Sequence, residues 1–301
     1  MTNRRVTVLM GGPDAEHNVS IDSGTEVANA LDLSGQFEVN RKIIEKITVD
    51  ELLALQADVF FPVLHGPYGE GGPLQALLEQ TGIPFVGSDS FAAACAMDKI
   101  VTKEIAQSVG IQTPAWSVLT AEQPCNLAAP LILKPRSDGS SIDMAICFTD
   151  SQVQEARTLL HKKRNSIFAE SYVEGRELTV GIIDGEPLPI IEIIPAKEVR
   201  TYDFAAKYER NDTQYILNPD LPPNNCIESA LLLYQTMQIR DITRVDFMLD
   251  KSGAWLLELN TMPGFTSHSL IPMAAKGAGI EMPDLCSALV KLALTRTVKS
   301  Y

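Results

Sequence analysis

The sequence is poor in the features that announce the commoner kinds of site. Its five cysteines (Cys95, Cys125, Cys147, Cys226 and Cys286) are odd in number and far apart. They form no C-x-x-C pair, so neither a zinc site nor a disulfide framework is indicated. No basic stretch is longer than Lys162-Lys163-Arg164. With 25 basic against 38 acidic side chains and a net charge of −13, nucleic acid and anionic membranes are poor partners. No run of about 18 apolar residues offers a membrane span, and the apolar part of "MTNRRVTVLMGGPDAEH" is too short for a signal peptide. These absences lead us to expect a cytoplasmic location. A G-x-x-x-x-G-K-[ST] loop is missing, and "GGPDAE" does not fit G-x-G-x-x-G, which leaves an NAD-dependent oxidoreductase without its fingerprint. What remains is a globular composition, 45% hydrophobic and 21% charged. Its length of 301 residues exceeds one ordinary core and suggests two or three domains.

Strand and helix patterns alternate through residues 1–95, as in an open α/β sheet. A strand over Val6–Met10 runs into a Gly-Gly turn and a helix for which Ser20 is the expected cap. "DVFFPVLHG" feeds a second glycine loop, followed by a helix at "PLQALLEQTG" and a strand at "IPFVG". Ligands in such sheets sit at the carboxyl ends of strands, where both glycine loops lie. "FAAACAMDKIVTKEIAQSVG" reads as one helix, and residues 96–180 as a second, α+β domain. A third, 181–301, carries more strands and closing helices near 226–239, 269–279 and 283–295. Within it, residues 197–224 are polar, aperiodic and contain three prolines, the marks of a long functional or disordered loop.

The most informative stretch is "RVDFMLDKSGAWLLELNTMPG". Alternation puts Arg244 and Asp246 on one face of a strand, with Val245, Phe247 and Leu249 on the other. The next strand is expected to point Glu258 and Asn260 one way and Trp255, Leu257 and Leu259 the other. A three-residue loop at Lys251-Ser252-Gly253 would set Asp246 opposite Glu258. Like charges so placed repel, unless a cation cancels them. Two carboxylates and an amide oxygen suit Mg²⁺, which completes its shell with water and phosphate. A solvated hairpin face is the simpler reading of such a pair, but both acids lie inside strands and a Pro263-Gly264 turn follows at once. In "ILKPRSDGSS", strand-borne Lys134 precedes a loop whose N–H groups and hydroxyls can meet phosphate oxygens.

In combination, "AMDK", "LKPRSDGSS", "AESYVEGRELTV", "RVDFMLD" and "LLELNTMPGFTSHSL" resemble the ATP-grasp superfamily in order and spacing. "GGPDAEHNVSIDSG", "LHGPYGEGGPLQALLE", "TYDFAAKY" and "NTMPGFTSHSLIPM" are similar to the D-alanine–D-alanine ligase family across essentially the whole chain. The resemblance implies a three-domain ATP-grasp fold, mixed α/β and α+β, with an N-terminal open α/β domain. It also implies ATP-dependent joining of two D-alanines through a D-alanyl phosphate, and a homodimer. By resemblance, Lys99 and Lys134 meet the nucleotide phosphates, Glu170, Tyr172 and Val173 the adenine, and Glu177 the ribose. Lys207 in the lid meets the γ-phosphate. Asp246, Glu258 and Asn260 hold two Mg²⁺ ions, with Mn²⁺ as a possible substitute. Glu16 takes the first D-alanine's ammonium, beside His65 and Glu70. Ser269 and Leu270 meet the second substrate's carboxylate, while Arg244 and the N–H of Gly264 steady the oxyanion. Tyr208 joins Ser140 and Glu16 in a triad.

Three departures from the family pattern stand out. Gly71 occupies a position where the family usually has Asp, and Asp143 one where it usually has Gly. Phe204-Ala205 replaces the more common Tyr-Glu. Another carboxylate–amine ligase, including one that accepts D-lactate, would keep the metal and ATP residues and differ in the acceptor pocket. A non-catalytic nucleotide or amino-acid sensor would not need both metals' ligands.

Overall fold

The computed structural model describes residues 4–120, 125–139, 142–195 and 212–296. β1 (Arg4–Gly11) is the central strand of a parallel sheet ordered β2-β1-β3, with β2 at Phe37–Ile44 and β3 at Val59–Pro62. Its apolar run follows from cover on both faces. α1 (His17–Ser34) packs against Val6, Val8 and Met10; α2 (Val49–Ala54) and α4 (Pro73–Thr81) share the core of Leu9 and Phe60. Between β3 and α4 lies the short α3 (Gly66–Gly69).

Two local expectations are corrected here. Ser20 is no cap: it sits inside α1, where its hydroxyl accepts from Gly11 N (2.8 Å) and donates to Val63 O (2.5 Å), tying the ends of β1 and β3 together. "IPFVG" forms only an isolated parallel bridge, Phe85 to Phe60.

The helix expected at 91–110 is two: α5 (Ser90–Met97) and α6 (Lys99–Ser108). Asp98 leaves the helical conformation (φ −83°, ψ 100°) and its carboxylate caps Ile100 N and Val101 N. An N-cap aspartate inside a helical pattern favours such a restart. A second sheet, antiparallel and ordered β4-β7-β5-β6, follows: β4 (Trp116–Leu119), β5 (Leu131–Pro135), β6 (Ala145–Cys147) and β7 (Ile167–Ser171). α7 (Asp150–His161) buries Val153 and Leu160 against it.

The third sheet is ordered β11-β10-β8-β12-β13, with β13 at Gly253–Asn260 and β9 (Glu186–Pro187) on β8. β8 (Arg176–Ile183) pairs with β10 (Ile191–Ile194) and β12 (Ile242–Asp250), so the boundary expected at residue 180 falls within a strand of this sheet. β11 (Gln214–Leu217) pairs with β10 inside the stretch expected to be an aperiodic loop at 197–224; residues 196–211 lie outside the described residues. α5, α6 and α8 (Cys226–Thr236) cover one face. α9 (Leu270–Gly277) and α10 (Met282–Thr295) join the core beneath α1.

In the β12–β13 hairpin Asp246 does lie opposite Glu258, but by a different route. Asp250 pairs with Gly253 across a two-residue turn, and a bulge at Leu257 restores the register before Glu258. A bulge inserts one unpaired residue and re-aims its neighbours. Ala254, Leu256 and Leu259 therefore face the core, whereas Trp255 and Leu257, expected there, do not.

Candidate active site

A cavity of about 650 Å³ opens between the second and third sheets. Lys99, Lys134, Glu170, Tyr172, Val173, Glu177, Asp246 and Glu258 all line it, among apolar walls of Ile132, Met144, Met248 and Leu257. Its floor is a charge network. The fully buried Glu170 carboxylate accepts from Lys134 Nζ (2.8 Å) and pairs with Lys103. Lys103, wholly buried, also donates to Thr113 Oγ1 (2.5 Å), whose hydroxyl donates to Leu256 O (2.9 Å). Burial pushes the Lys103 ammonium down to about 8. Burial also pushes Glu170 up, but Lys134 and Lys103 outweigh it and hold the carboxyl below its ordinary range. Lys99 Nζ donates to Asp138 O (2.6 Å) and sits 3.3 Å from Glu258.

A second, narrow cleft of about 60 Å³ adjoins the first. Four separate parts of the chain build it: Glu16; His65 and Glu70; Gly139; and Arg244, Asn260, Gly264, Ser269 and Leu270. His65 shares a hydrogen bond between Nδ1 and Met262 O (3.1 Å); since a carbonyl only accepts, Nδ1 carries the proton. Its buried Nε2 has no partner among the described residues. Burial, aided by Arg244, drives the imidazole below its ordinary range against the pull of Glu16 and Met262 O. Burial and the adjacent Glu16 push Glu70 up to about 8. Ser269 precedes α9 and its Oγ accepts from Thr266 N (3.0 Å). The loop reaching it is pinned to α1 by Phe265 N donating to Ser23 Oγ (3.1 Å).

Gly139 and Glu258 line both spaces, so the two meet at the turn after β5 and the end of β13. Gly139 is close-packed there: a Cβ would lie 2.8 Å from Glu16 Oε2. Arg244 grips Asp246 through Nε (3.0 Å) and Nη2 (2.9 Å). Asp246 also accepts from Thr179 Oγ1 (2.6 Å), and Asn260 Nδ2 lies 3.4 Å away. Among the described residues no three His, Cys, Asp or Glu gather as a metal cluster. The donors here are two carboxylates and an amide, hard oxygens that fit Mg²⁺ bound with water and phosphate. Ser140, Lys207 and Tyr208 lie outside the described residues.

Both described departures have a local reason. A Cβ on Gly71 would lie 2.4 Å from Pro67 O, so this turn has no room for the family's usual aspartate. Asp143 has φ +55°, a left-handed conformation that suits glycine and that Asp tolerates. Its carboxylate does not line the cavity. It accepts from Lys163 Nζ (2.9 Å) and Arg164 Nε (2.8 Å), which hold it below its ordinary range.

Sequence reasoning missed Thr179, Lys103 and Arg164. Thr179 was within reach, since it is two residues from Glu177 on the same strand face. Lys103 follows Lys99 by one helical turn and carries no mark of burial.

Two antiparallel sheets closing on a lysine-lined cavity, with facing carboxylates at its inner end, define an ATP-grasp enzyme. Residues 40–88 match the family model for the D-ala D-ala ligase N-terminus and residues 105–291 that for the D-ala D-ala ligase C-terminus. The chain is 39% identical to the D-alanine–D-alanine ligase of Aquifex aeolicus, covering 95% of this chain and 99% of that one. It is 40% identical to that of Bordetella petrii, covering 95% and 91%. The crystal structure of the Bacillus anthracis ligase complexed with ATP superposes with a TM-score of 0.84 at 30% identity, covering 98% of each chain. The chain belongs to the D-alanine–D-alanine ligase family.

Proposed function

We propose that the protein joins two molecules of D-alanine at the expense of ATP, supplying a peptidoglycan precursor. The observation that carries this is the junction of the two spaces at Gly139 and Glu258: a nucleotide held in the large cavity presents its γ-phosphate to an amino acid in the narrow cleft. The first D-alanine's carboxylate attacks that phosphorus and ADP leaves. The second D-alanine's amine, having shed a proton, attacks the acyl carbon, and phosphate leaves as the peptide bond forms.

Lys99 and Lys134 position the phosphates, Tyr172 and Val173 border the adenine, Glu170 fixes Lys134, and Glu177 takes the ribose. Glu16 holds the first ammonium, with His65 and Glu70 beside it. Arg244 and the Gly264 N–H stabilise the oxyanion, and Ser269 and Leu270 seat the second carboxylate at the start of α9. Asp246, Glu258 and Asn260 would hold two magnesium ions, or manganese in their place, supplying charge neutralisation at the transferred phosphoryl. Ser140, Lys207 and Tyr208 enter by family resemblance alone, as do a homodimeric state and a cytoplasmic location. No helix among the described residues is long and apolar enough to cross a membrane. The N-terminal sheet thus serves the amino acid, and the other two enclose ATP.

The test is phosphate release dependent on ATP and Mg²⁺ with D-alanine alone, products identified by mass. Release with D-alanyl-D-alanine as product is expected; release only when D-lactate is added would move the acceptor, and ATP binding without release would move the protein to the sensor class.

A further inference from the structure

Arg164 lies in the turn between α7 and β7, outside both the cavity and the cleft. Its backbone N–H donates to Leu160 O (2.8 Å), fixing it to the end of α7. From there its guanidinium reaches both ends of the turn between β5 and β6. Nη1 pairs with Asp138 (2.7 Å) on one side and Nε with Asp143 (2.8 Å) on the other. The Arg164 side chain is 30% exposed, and those of Asp138 and Asp143 are 11% and 16% exposed, so solvent screens these contacts less than an ordinary surface pair. Lys163, at 65%, adds a weaker tether.

What Asp138 and its neighbour touch gives the contact a consequence. The Asp138 carbonyl accepts from Lys99 Nζ, and its carboxylate accepts from Gly139 N (3.0 Å). Gly139 in turn packs against the Glu16 carboxylate at the junction. Asp143 stands where the family pattern usually has a glycine, which could offer Arg164 no carboxylate.

We propose that Arg164 is a positioning residue for the nucleotide: by joining Asp138 to Asp143 it braces the chain after β5 against the chain before β6 and sets where Lys99 and Gly139 present themselves to ATP. This rests on the reading of the large cavity as the ATP site. A lysine cannot do the same, because a point donor lacks the planar fork that spans two carboxylates.

The experiment measures KM for ATP, KM for D-alanine and thermal midpoint in Arg164→Met, Arg164→Lys, Asp143→Asn and the Arg164→Met/Asp143→Asn double variant, with Lys134→Ala as control. Arg164→Met is expected to raise KM for ATP roughly tenfold, equivalent to ~1.4 kcal/mol, while leaving KM for D-alanine within about twofold. Arg164→Lys should recover only part of this, and the double variant should be no worse than the poorer single one. In the parent protein, KM for ATP should rise more steeply with salt than in Asp143→Asn. Unchanged KM for ATP in both Arg164→Met and Asp143→Asn, or a rise in both KM values in step with a lost thermal midpoint, would overturn the proposal. Should Arg164→Met fail to fold, Asp143→Asn decides alone. If Lys134→Ala also leaves KM for ATP unchanged, the ATP-site reading fails, and the positioning role with it.

Discussion

The two spaces of the site solve opposite electrostatic problems. In the large cavity a buried carboxylate, Glu170, sits between two lysines, so the charges are kept and paired. In the narrow cleft Glu16, Glu70 and Glu258 share the lining with His65 and Arg244, and burial shifts protons instead: Glu70 rises to about 8 and His65 falls. The first arrangement welcomes a polyanion, because its lysines need no new partner to stay charged. The second welcomes an ammonium, because an incoming cation offsets the burial and the Glu16 repulsion that together keep Glu70 protonated. On the proposed reading, different ligands explain two kinds of buried charge in one site.

The sharpest way to break this contrast is at the junction. Glu258→Gln is expected to cut turnover by at least about 100-fold, the scale of losing one preorganised group at a reacting centre, with an unchanged circular dichroism melt. Near-normal phosphate release in that variant would remove Glu258 from the reaction. Glu170→Gln comes next. It leaves two lysines, one wholly buried, without their carboxylate, and urea unfolding should report a loss of roughly 3–5 kcal/mol. A loss below about 1 kcal/mol would show that charge pairing does not hold the cavity floor.

Smaller effects belong to the loop that carries Glu70. Gly71→Asp, which restores the family's usual residue, should cost about 1–3 kcal/mol, because Pro67 O occupies the side chain's place. An unaltered melt would mean that the turn can open.

The smallest effect is a slope. Glu70 has a folded value of about 8 against an ordinary 4.5, so between these the folded state holds a proton that the unfolded state lacks. Its contribution is full below about pH 4.5 and is lost as pH rises towards about 8. In Glu70→Gln the fall in thermal midpoint of the ligand-free protein between about pH 5 and about pH 8 should become shallower. An identical slope would place the buried proton elsewhere.

How far the sequence discloses this depends on the range of the interactions. Period-two alternation is local, so the Asp246–Glu258 opposition and the core positions Val245, Phe247 and Leu249 were legible. The bulge at Leu257 was not, because hairpins with and without it give the same opposition, and only packing against α5 and α6 selects Ala254 and Leu256 for the core. The break at Asp98 was a cap hidden in a continuous helical pattern. Lys103 was illegible because it sits on a helix and its partner, Glu170, on β7, far along the chain. The third sheet's claim on β8 is likewise a long-range pairing that no window around residue 180 contains. Motif spacing carried the family and gathered distant residues around one site, whereas the contacts within that site came only from the fold.

The most direct test of the contrast is a pair of KM values in two variants, Lys134→Ala and Glu16→Gln. Lys134→Ala should raise KM for ATP and spare that for the first D-alanine, and Glu16→Gln should do the reverse. Were either variant to raise both values equally, or the two patterns to be exchanged, the division of the site into a phosphate cavity and an ammonium cleft would be wrong.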